Sequence, residues 1–297
     1  MIKSRRLGYA SFSTPRMQEQ AEYFKEILGL SVSQRTERKV VLATSCGLES
    51  IVLEPGDTAG LLGLAFEIAP AVSLEYAKRE LKALGIKAEI REGRASSVGR
   101  VVAFHDPEGT EIELFNSSAF LPEIPHYRPI SPLKLGHVAC QVPNIEDLAE
   151  FYVNALGFRK SDWAEGLAVF LRCSPDHHTV NFFSGPSRLD HIAFEVKDFS
   201  ELVRAADHLT ITGYPLEWGP ARHSAGHNCA SYHFSPDGFP VELYAEMDQM
   251  KDEELGYFEP RPWHADRPQR PKNWRPDEFV RNIWSPQPFD GSGPNKG

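Results

Sequence analysis

The chain has 297 residues, 41% hydrophobic and 25% charged, with 32 Lys and Arg against 41 Asp and Glu for a formal net charge of −9. That length suits one large domain or two ordinary ones and is ample to bury a core. The acid excess with no basic stripe excludes a general binder of nucleic-acid backbone, and no run of 18 apolar residues offers a membrane span.

The N-terminal residues Met1 to Arg6 are partly basic but lead into no continuous apolar stretch, so no secretory leader is expected. The first element is a short alternating strand. An amphipathic helix follows, with Pro15 near its first turn and Gly29 past its end. Short β runs are predicted at 40–44, 50–54 and 64–68. A second helix falls near 74–84 and ends at Gly85, and further strands fall at 101–105 and 111–115. After residue 130 the same order returns. Asn144 reads as an N-cap, Gly157 as the C-terminal glycine of a helix, and a last helix lies near 200–209 with Gly213 beyond it. From Ala245 onward there are eight prolines, three of the five tryptophans and no sustained period. Such a tail builds no core of its own. Trp263, Trp274 and Trp284 nonetheless call for burial against the body or a second subunit, and residues 286–297 are expected to be loose. Cys46, Cys140, Cys173 and Cys229 form no CxxC pair and read as small buried thiols of a reduced, cytoplasmic protein.

The recurrence is a true internal repeat. Residues 7–29 (LGYASFSTPRMQEQAEYFKEILG) align with 135–157 (LGHVACQVPNIEDLAEFYVNALG) at an offset of 128. Ala65-Phe66-Glu67-Ile68 aligns with Ala193-Phe194-Glu195-Val196, and 106–113 aligns with 235–242 after one residue of drift. The fold class is therefore α+β, with two homologous domains of paired βαβββ modules. The expected division is 1–125, 130–248 and an irregular tail, 249–297.

Comparing the copies isolates chemistry from scaffold. His137 stands where the first copy has Tyr9, His191 where it has Gly63, His178 where it has Ser50, and Tyr232 where it has Ala103. Glu242 has a counterpart, Glu113. Scaffold needs do not explain imidazoles confined to one copy. Strand parity puts His191, Ala193 and Glu195 on one face and Ile192, Phe194 and Val196 on the other; Glu242 and Tyr244 likewise oppose Val241 and Leu243. The apolar sets face the helices, so the His and Glu side chains converge on the opposite, concave side. Two neutral imidazoles and one carboxylate with open positions form the facial triad of non-haem Fe(II) oxygenases, although zinc also accepts such a set. In this comparison Tyr9 is expected in an empty, metal-free hollow. Taken singly, His177 reads as a rim residue, His227 as a supporting neighbour of the site or a surface residue, His233 as structural, and Arg172 and Asp176 as solvated charges.

The segment from Arg222-His223 through Ser231-Tyr232, Ser235-Pro236-Asp237-Gly238 and Glu242 resembles the signature of type I extradiol ring-cleavage dioxygenases, members of the vicinal oxygen chelate superfamily. That signature is a His, a spacer, an apolar residue and Tyr, then Pro-x-Gly, then Glu; here Ser231 takes the apolar position. Gly136-His137, His177-His178-Thr179 and Asp190-His191 match the family's other motifs, and the resemblance runs from residue 7 to about 245. It implies a curved, open, barrel-like mixed sheet in each half. It implies His137, His191 and Glu242 as ligands of Fe(II), with Mn(II) an alternative. His178 would be the acid–base residue, and His223 and Tyr232 would contact the hydroxyls of an aromatic diol cleaved with O2. The first half would be metal-free and the assembly a homo-oligomer, with no nucleic-acid or membrane partner. A sequestering protein of the same superfamily, or a metal-dependent isomerase or lyase, would share the scaffold. Trp163, Phe170 and tail residues are candidates for sensing ring substituents.

Overall fold

The computed structural model describes residues 2–122, 128–259, 267–275 and 277–285; Trp263 and residues 286–297 lie outside them. The first half runs β1 (Ser4–Thr14), α1 (Met17–Glu22), β2 (Ser31–Arg35), β3 (Val40–Ala43), β4 (Glu49–Pro55), β5 (Gly60–Ile68), α2 (Leu74–Ala83), β6 (Glu89–Glu92), β7 (Arg100–His105) and β8 (Glu111–Phe115). The second runs β9 (Lys134–Val142), α3 (Ile145–Leu156), β10 (Arg159–Ala164), β11 (Ala168–Arg172), β12 (Val180–Ser184), β13 (Arg188–Glu195), α4 (Phe199–Ile211), β14 (Trp218–Arg222), β15 (Cys229–Phe234) and β16 (Pro240–Ala245). Each half is thus βαβββ twice over.

The sheet orders repeat as the sequence does. The first sheet is β2-β3-β4-β1-β5-β8-β7-β6; the second, read the same way, is β10-β11-β12-β9-β13-β16-β15-β14. Both sheets mix parallel and antiparallel pairs and stay open. The helices start and stop where their polar residues allow. Asn144 Oδ1 accepts from Asp147 N at 3.2 Å, Asp198 Oδ1 accepts from Glu201 N at 2.8 Å, and Gly157 takes φ 73° to end α3. The first helix differs from expectation in its last turn. Tyr23–Ile27 widens into a π-helical segment, with Leu28 N bonded to Tyr23 O at 3.1 Å.

Ile192, Phe194, Val241 and Leu243 bury their side chains with Leu202, Ala205 and Leu209 of α4, as parity required. This core is continuous across both halves. Phe24 meets Phe194, Phe66 meets Phe158, and Tyr23 Oη hydrogen-bonds His233 Nε2 at 2.7 Å.

The tail docks on the second half. A final strand, β17 (Lys272–Asn273), pairs parallel with the outer edge of β10. Val280 O accepts from Ser224 N at 3.3 Å and Arg222 O accepts from Ile283 N at 2.8 Å. Trp274 is half-buried there, but Trp284 is 51% exposed, held edge-on by Phe199 and under the Arg222 guanidinium rather than buried. Cys46 is likewise exposed, not buried. Among the described residues no helix is long and apolar enough to cross a membrane.

Candidate metal centre and its cavity

Three adjacent central strands, β9, β13 and β16, carry the three candidate ligands. Ala193 on β13 pairs with His137 on one side and Glu242 on the other. Its methyl group leaves a hollow between them, and His191, two residues earlier, points into that hollow from the same face. A bulge sharpens the aim. On β13 the register steps from Leu189 to His191 while β9 advances by one residue, so Asp190 is the extra residue. The bulge lets Asp190 and His191 side chains meet, which neighbours on a regular strand do not do. Asp190 Oδ1 lies 2.7 Å from His191 Nδ1. Gly136 serves the same hollow from beneath, since a Cβ there would lie 1.8 Å from the Tyr244 hydroxyl that packs beside His137.

The donor atoms face one another. His137 Nε2 is 3.3 Å from His191 Nε2 and 3.1 Å from Glu242 Oε2, and His191 Nε2 is 3.1 Å from that same oxygen. Around one ion with bonds of about 2.0–2.2 Å, ligands at right angles stand about 3.0 Å apart, so this triangle matches one face of an octahedral site. The other edges of the donors are held. His191 Nδ1 is engaged by Asp190, and Asn228 Nδ2 donates to Glu242 Oε1 at 2.8 Å. Such outer partners orient ligands and fix their tautomers. The residues fit a divalent ion, and among the described residues these three are the group whose ligand atoms all lie within 4.8 Å of one another.

Electrostatics agree. Burial works against the Glu242 carboxylate, but the charges and hydrogen bonds of His137 and His191 hold it well below the usual carboxylate range. Burial lowers His191 too, yet the Asp190 and Glu242 carboxylates raise it to about 9. Burial lowers His137, with Glu242 only partly offsetting it. A proton on the cluster thus does for the carboxylate what a cation would do.

The cluster lines a cavity of about 1320 Å³. His178, His223 and Tyr232 line it as well, so the structure brings all six sequence-selected residues together. Tyr232 Oη donates to Glu242 Oε2 at 2.7 Å and lies 3.0 Å from His223 Nε2. The backbone carbonyl of Arg281, in the tail, accepts from His223 Nδ1 at 2.7 Å. His178 lies over His137, ring centroids 4.3 Å apart, and burial among histidines pushes it well below its ordinary value. Phe170, Phe183, Leu189 and Phe279 supply apolar wall. Trp163 does not line the cavity; it packs against the core.

Several single-residue readings change. His177 is no rim residue but fully buried. Residues 177 and 178 lie in a loop, outside β12, so alternation does not apply and the two rings touch. His227 is buried too, its Nδ1 2.7 Å from Asp248 Oδ2. Arg172 is buried and paired with Glu253 of the tail, and Asp176 is buried and paired with Lys134. The first-half hollow is not empty. Tyr9 donates to Glu113, while Arg91 pairs with Glu113 at 2.7 Å and Arg94 with Glu111 and Glu54. Guanidinium groups stand where a cation would. Asn228 and Arg281 carried no sequence signal, and Asp190 only its place beside His191 in a motif, because a loop, a tail crossing and a bulge bring them to the site.

Comparison with known proteins agrees with this geometry. Residues 134–243 match the model of the glyoxalase/bleomycin resistance protein/dioxygenase superfamily. A Rhodococcus jostii (strain RHA1) protein named iron-dependent extradiol dioxygenase is 26% identical over 84% of this chain and 91% of its own length. A biphenyl-2,3-diol 1,2-dioxygenase of Paraburkholderia xenovorans (strain LB400) is 26% identical over 80% of this chain and 86% of its own. Among solved structures, a Mn(II)-bound glyoxalase from Novosphingobium aromaticivorans superposes with a TM-score of 0.82, at 22% identity, over 96% of this chain and 92% of that one.

Proposed function

With residues 134–243 a domain of the glyoxalase/bleomycin resistance protein/dioxygenase superfamily, we propose that the protein is an extradiol dioxygenase that opens a catecholic aromatic ring with O2 at a mononuclear Fe(II) or Mn(II) site. The observation that carries the reading is the His137, His191 and Glu242 triangle at 3.1–3.3 Å, in a cavity that His178, His223 and Tyr232 also line. The full-length relatives named extradiol dioxygenases support the same reaction class.

His137, His191 and Glu242 would hold the ion. When bound, it supplies Lewis acidity and a common attachment point for diol and dioxygen. The chain's own residues do the rest. The aromatic side chains Phe170 and Phe183 shape an apolar slot for a ring, and holding both reactants in one geometry removes most of the entropic cost of their encounter. Tyr232 Oη is placed to hydrogen-bond a diol oxygen beside the ligand cluster. His223, oriented by the Arg281 carbonyl, presents Nε2 beside that hydroxyl and can take a proton from the diol. His178, kept neutral by burial, can accept a proton and, once protonated, stabilise negative charge developing on the oxygen partner. A cavity of about 1320 Å³ exceeds a single ring and leaves room for substituents.

The test is oxygen uptake by anaerobically reconstituted Fe(II) and Mn(II) protein on a panel of monocyclic, bicyclic and carboxylated catechols. Uptake with at least one of them is expected. Absence of uptake with every member in both metal forms, in protein that holds the metal, contradicts the reading.

A further inference from the structure

His178 does not stand alone. Its Nδ1 lies 3.1 Å from Nδ1 of His177, and the Nε2 of that imidazole lies 3.2 Å from Oδ2 of Asp162, within ion-pair distance but without hydrogen-bond alignment. Asp162 is a buried carboxylate on β10, and it is fastened from the far side by the tail. Trp274 Nε1 donates to its Oδ2 at 2.7 Å and Lys272 N to its Oδ1 at 3.0 Å. His177 is further fixed by its backbone N–H, which donates to Asp248 O at 2.9 Å, and by Phe258, whose ring centroid lies 4.9 Å from its own. The loop also needs Gly226, where a Cβ would stand 3.1 Å from His177 Nδ1 and 3.3 Å from His178 Cε1.

Between two Nδ1 atoms at this distance one must donate and the other accept. The negative charge of the Asp162 carboxylate beside Nε2 favours the His177 tautomer that carries its proton there over the one that turns a lone pair toward it. His177 Nδ1 is then an acceptor, and His178 must carry its proton on Nδ1. We propose that Asp162, acting through His177, fixes His178 as the Nδ1–H tautomer, leaving Nε2 as the free proton acceptor at the cavity. Asp162 and His177 are thus positioning residues, and the tail helps set their geometry from outside the cavity. The catalytic use of that tautomer rests on the dioxygenase reading; the tautomer itself does not.

The experiment is long-range 15N–1H NMR of the histidine rings in metal-free protein, with His178 assigned by loss of its signals in His178→Gln. The expected pattern for His178 is a protonated Nδ1 and a bare Nε2. Asp162→Asn is expected to deplete that form, because its amide can donate to His177 and reverse the chain. Trp274→Phe, which loosens the tail but keeps the carboxylate, is expected to preserve it. A bare His178 Nδ1 in the parent protein overturns the proposal even if no variant folds. So does an unchanged tautomer in Asp162→Asn, or a Trp274→Phe shift as large as that of Asp162→Asn. In the active enzyme Asp162→Asn should lower kcat by on the order of 10–100-fold with KM little moved, the loss typical of an outer partner of a functional histidine. If the enzyme shows no oxygen chemistry, the NMR result still stands or falls by itself.

Discussion

At His137, His191 and Glu242 the distances between donor atoms are those a single ion imposes, and the consequences are separable by residue. His137→Ala removes one corner of the triangle, so metal content after purification and dialysis, read by elemental analysis, should drop from near one per chain to background; retained metal would count against the assignment. His178→Phe keeps all three corners. It should retain metal and bind catechol while turnover falls by about 10²–10⁴-fold, the usual worth of a positioned acid–base group. Tyr232→Phe removes one hydrogen bond and should cost less. A His178 variant with unchanged turnover would remove that residue from the chemistry. These candidates stood out because the repeat supplies its own control, the first copy having Tyr9, Gly63 and Ser50 at the equivalent positions. His177 was misread as a rim residue because its burial comes from Phe258 and Asp248, which are distant in sequence. Asp190 was missed because only a bulge turns it toward its neighbour.

The elements that carry the site depend on close approaches. Gly136→Ala would drive a Cβ into the Tyr244 hydroxyl, a rigid neighbour. Overpacking of this kind costs about 1–3 kcal/mol, and a lowered thermal midpoint together with weaker metal binding should report it; a variant as stable as the parent would show that β9 yields easily. His233, on β15, makes a second prediction. Burial drives it down to about 4, so it is neutral when folded and its Nε2 meets the Tyr23 hydroxyl of the other half. The unfolded chain takes up this proton near pH 6.5 and the folded one only near 4. The stability contribution is therefore complete above pH 6.5 and is lost as pH falls toward 4, by about 3 kcal/mol. His233→Gln, which can still bond Tyr23, should flatten stability against pH in that window; an unchanged slope in denaturant titrations would contradict the assignment. Apart from the half-exposed β2 and β6, whose short runs carry no clear apolar period, strand and helix order were legible, because hydrophobic period and caps such as Asn144 act locally. The π-helical turn at Tyr23–Ile27 was not, since it aims Tyr23 and Phe24 at partners more than 150 residues away in sequence.

For the molecule as a whole, duplication explains the architecture and divergence explains the chemistry. Two sheets of one topology share a core. One fills its hollow with Arg91 and Arg94 against Glu113 and Glu111, and the other leaves its own open to a cavity. The tail was legible only as a segment in need of support. Its contacts with Asp162, Ser224 and Arg222 are long-range and left no periodic trace in sequence. Removing residues 260–297 should leave both sheets folded, as read by far-UV circular dichroism, yet lower kcat/KM by at least about tenfold, because His223 loses the carbonyl that orients it. Unchanged kcat/KM in the shortened chain would separate the tail from the site. The central claim is that both atoms of dioxygen enter a catecholic ring, a balanced addition that needs no external reductant. Turnover of a reactive catechol under 18O2, with mass analysis of the ring-opened product, tests it directly. The account predicts two labelled oxygens when the product is trapped by reduction before its carbonyl exchanges with water; a trapped product without label in its new carboxylate, or an intact ring oxidised to a quinone, would contradict it.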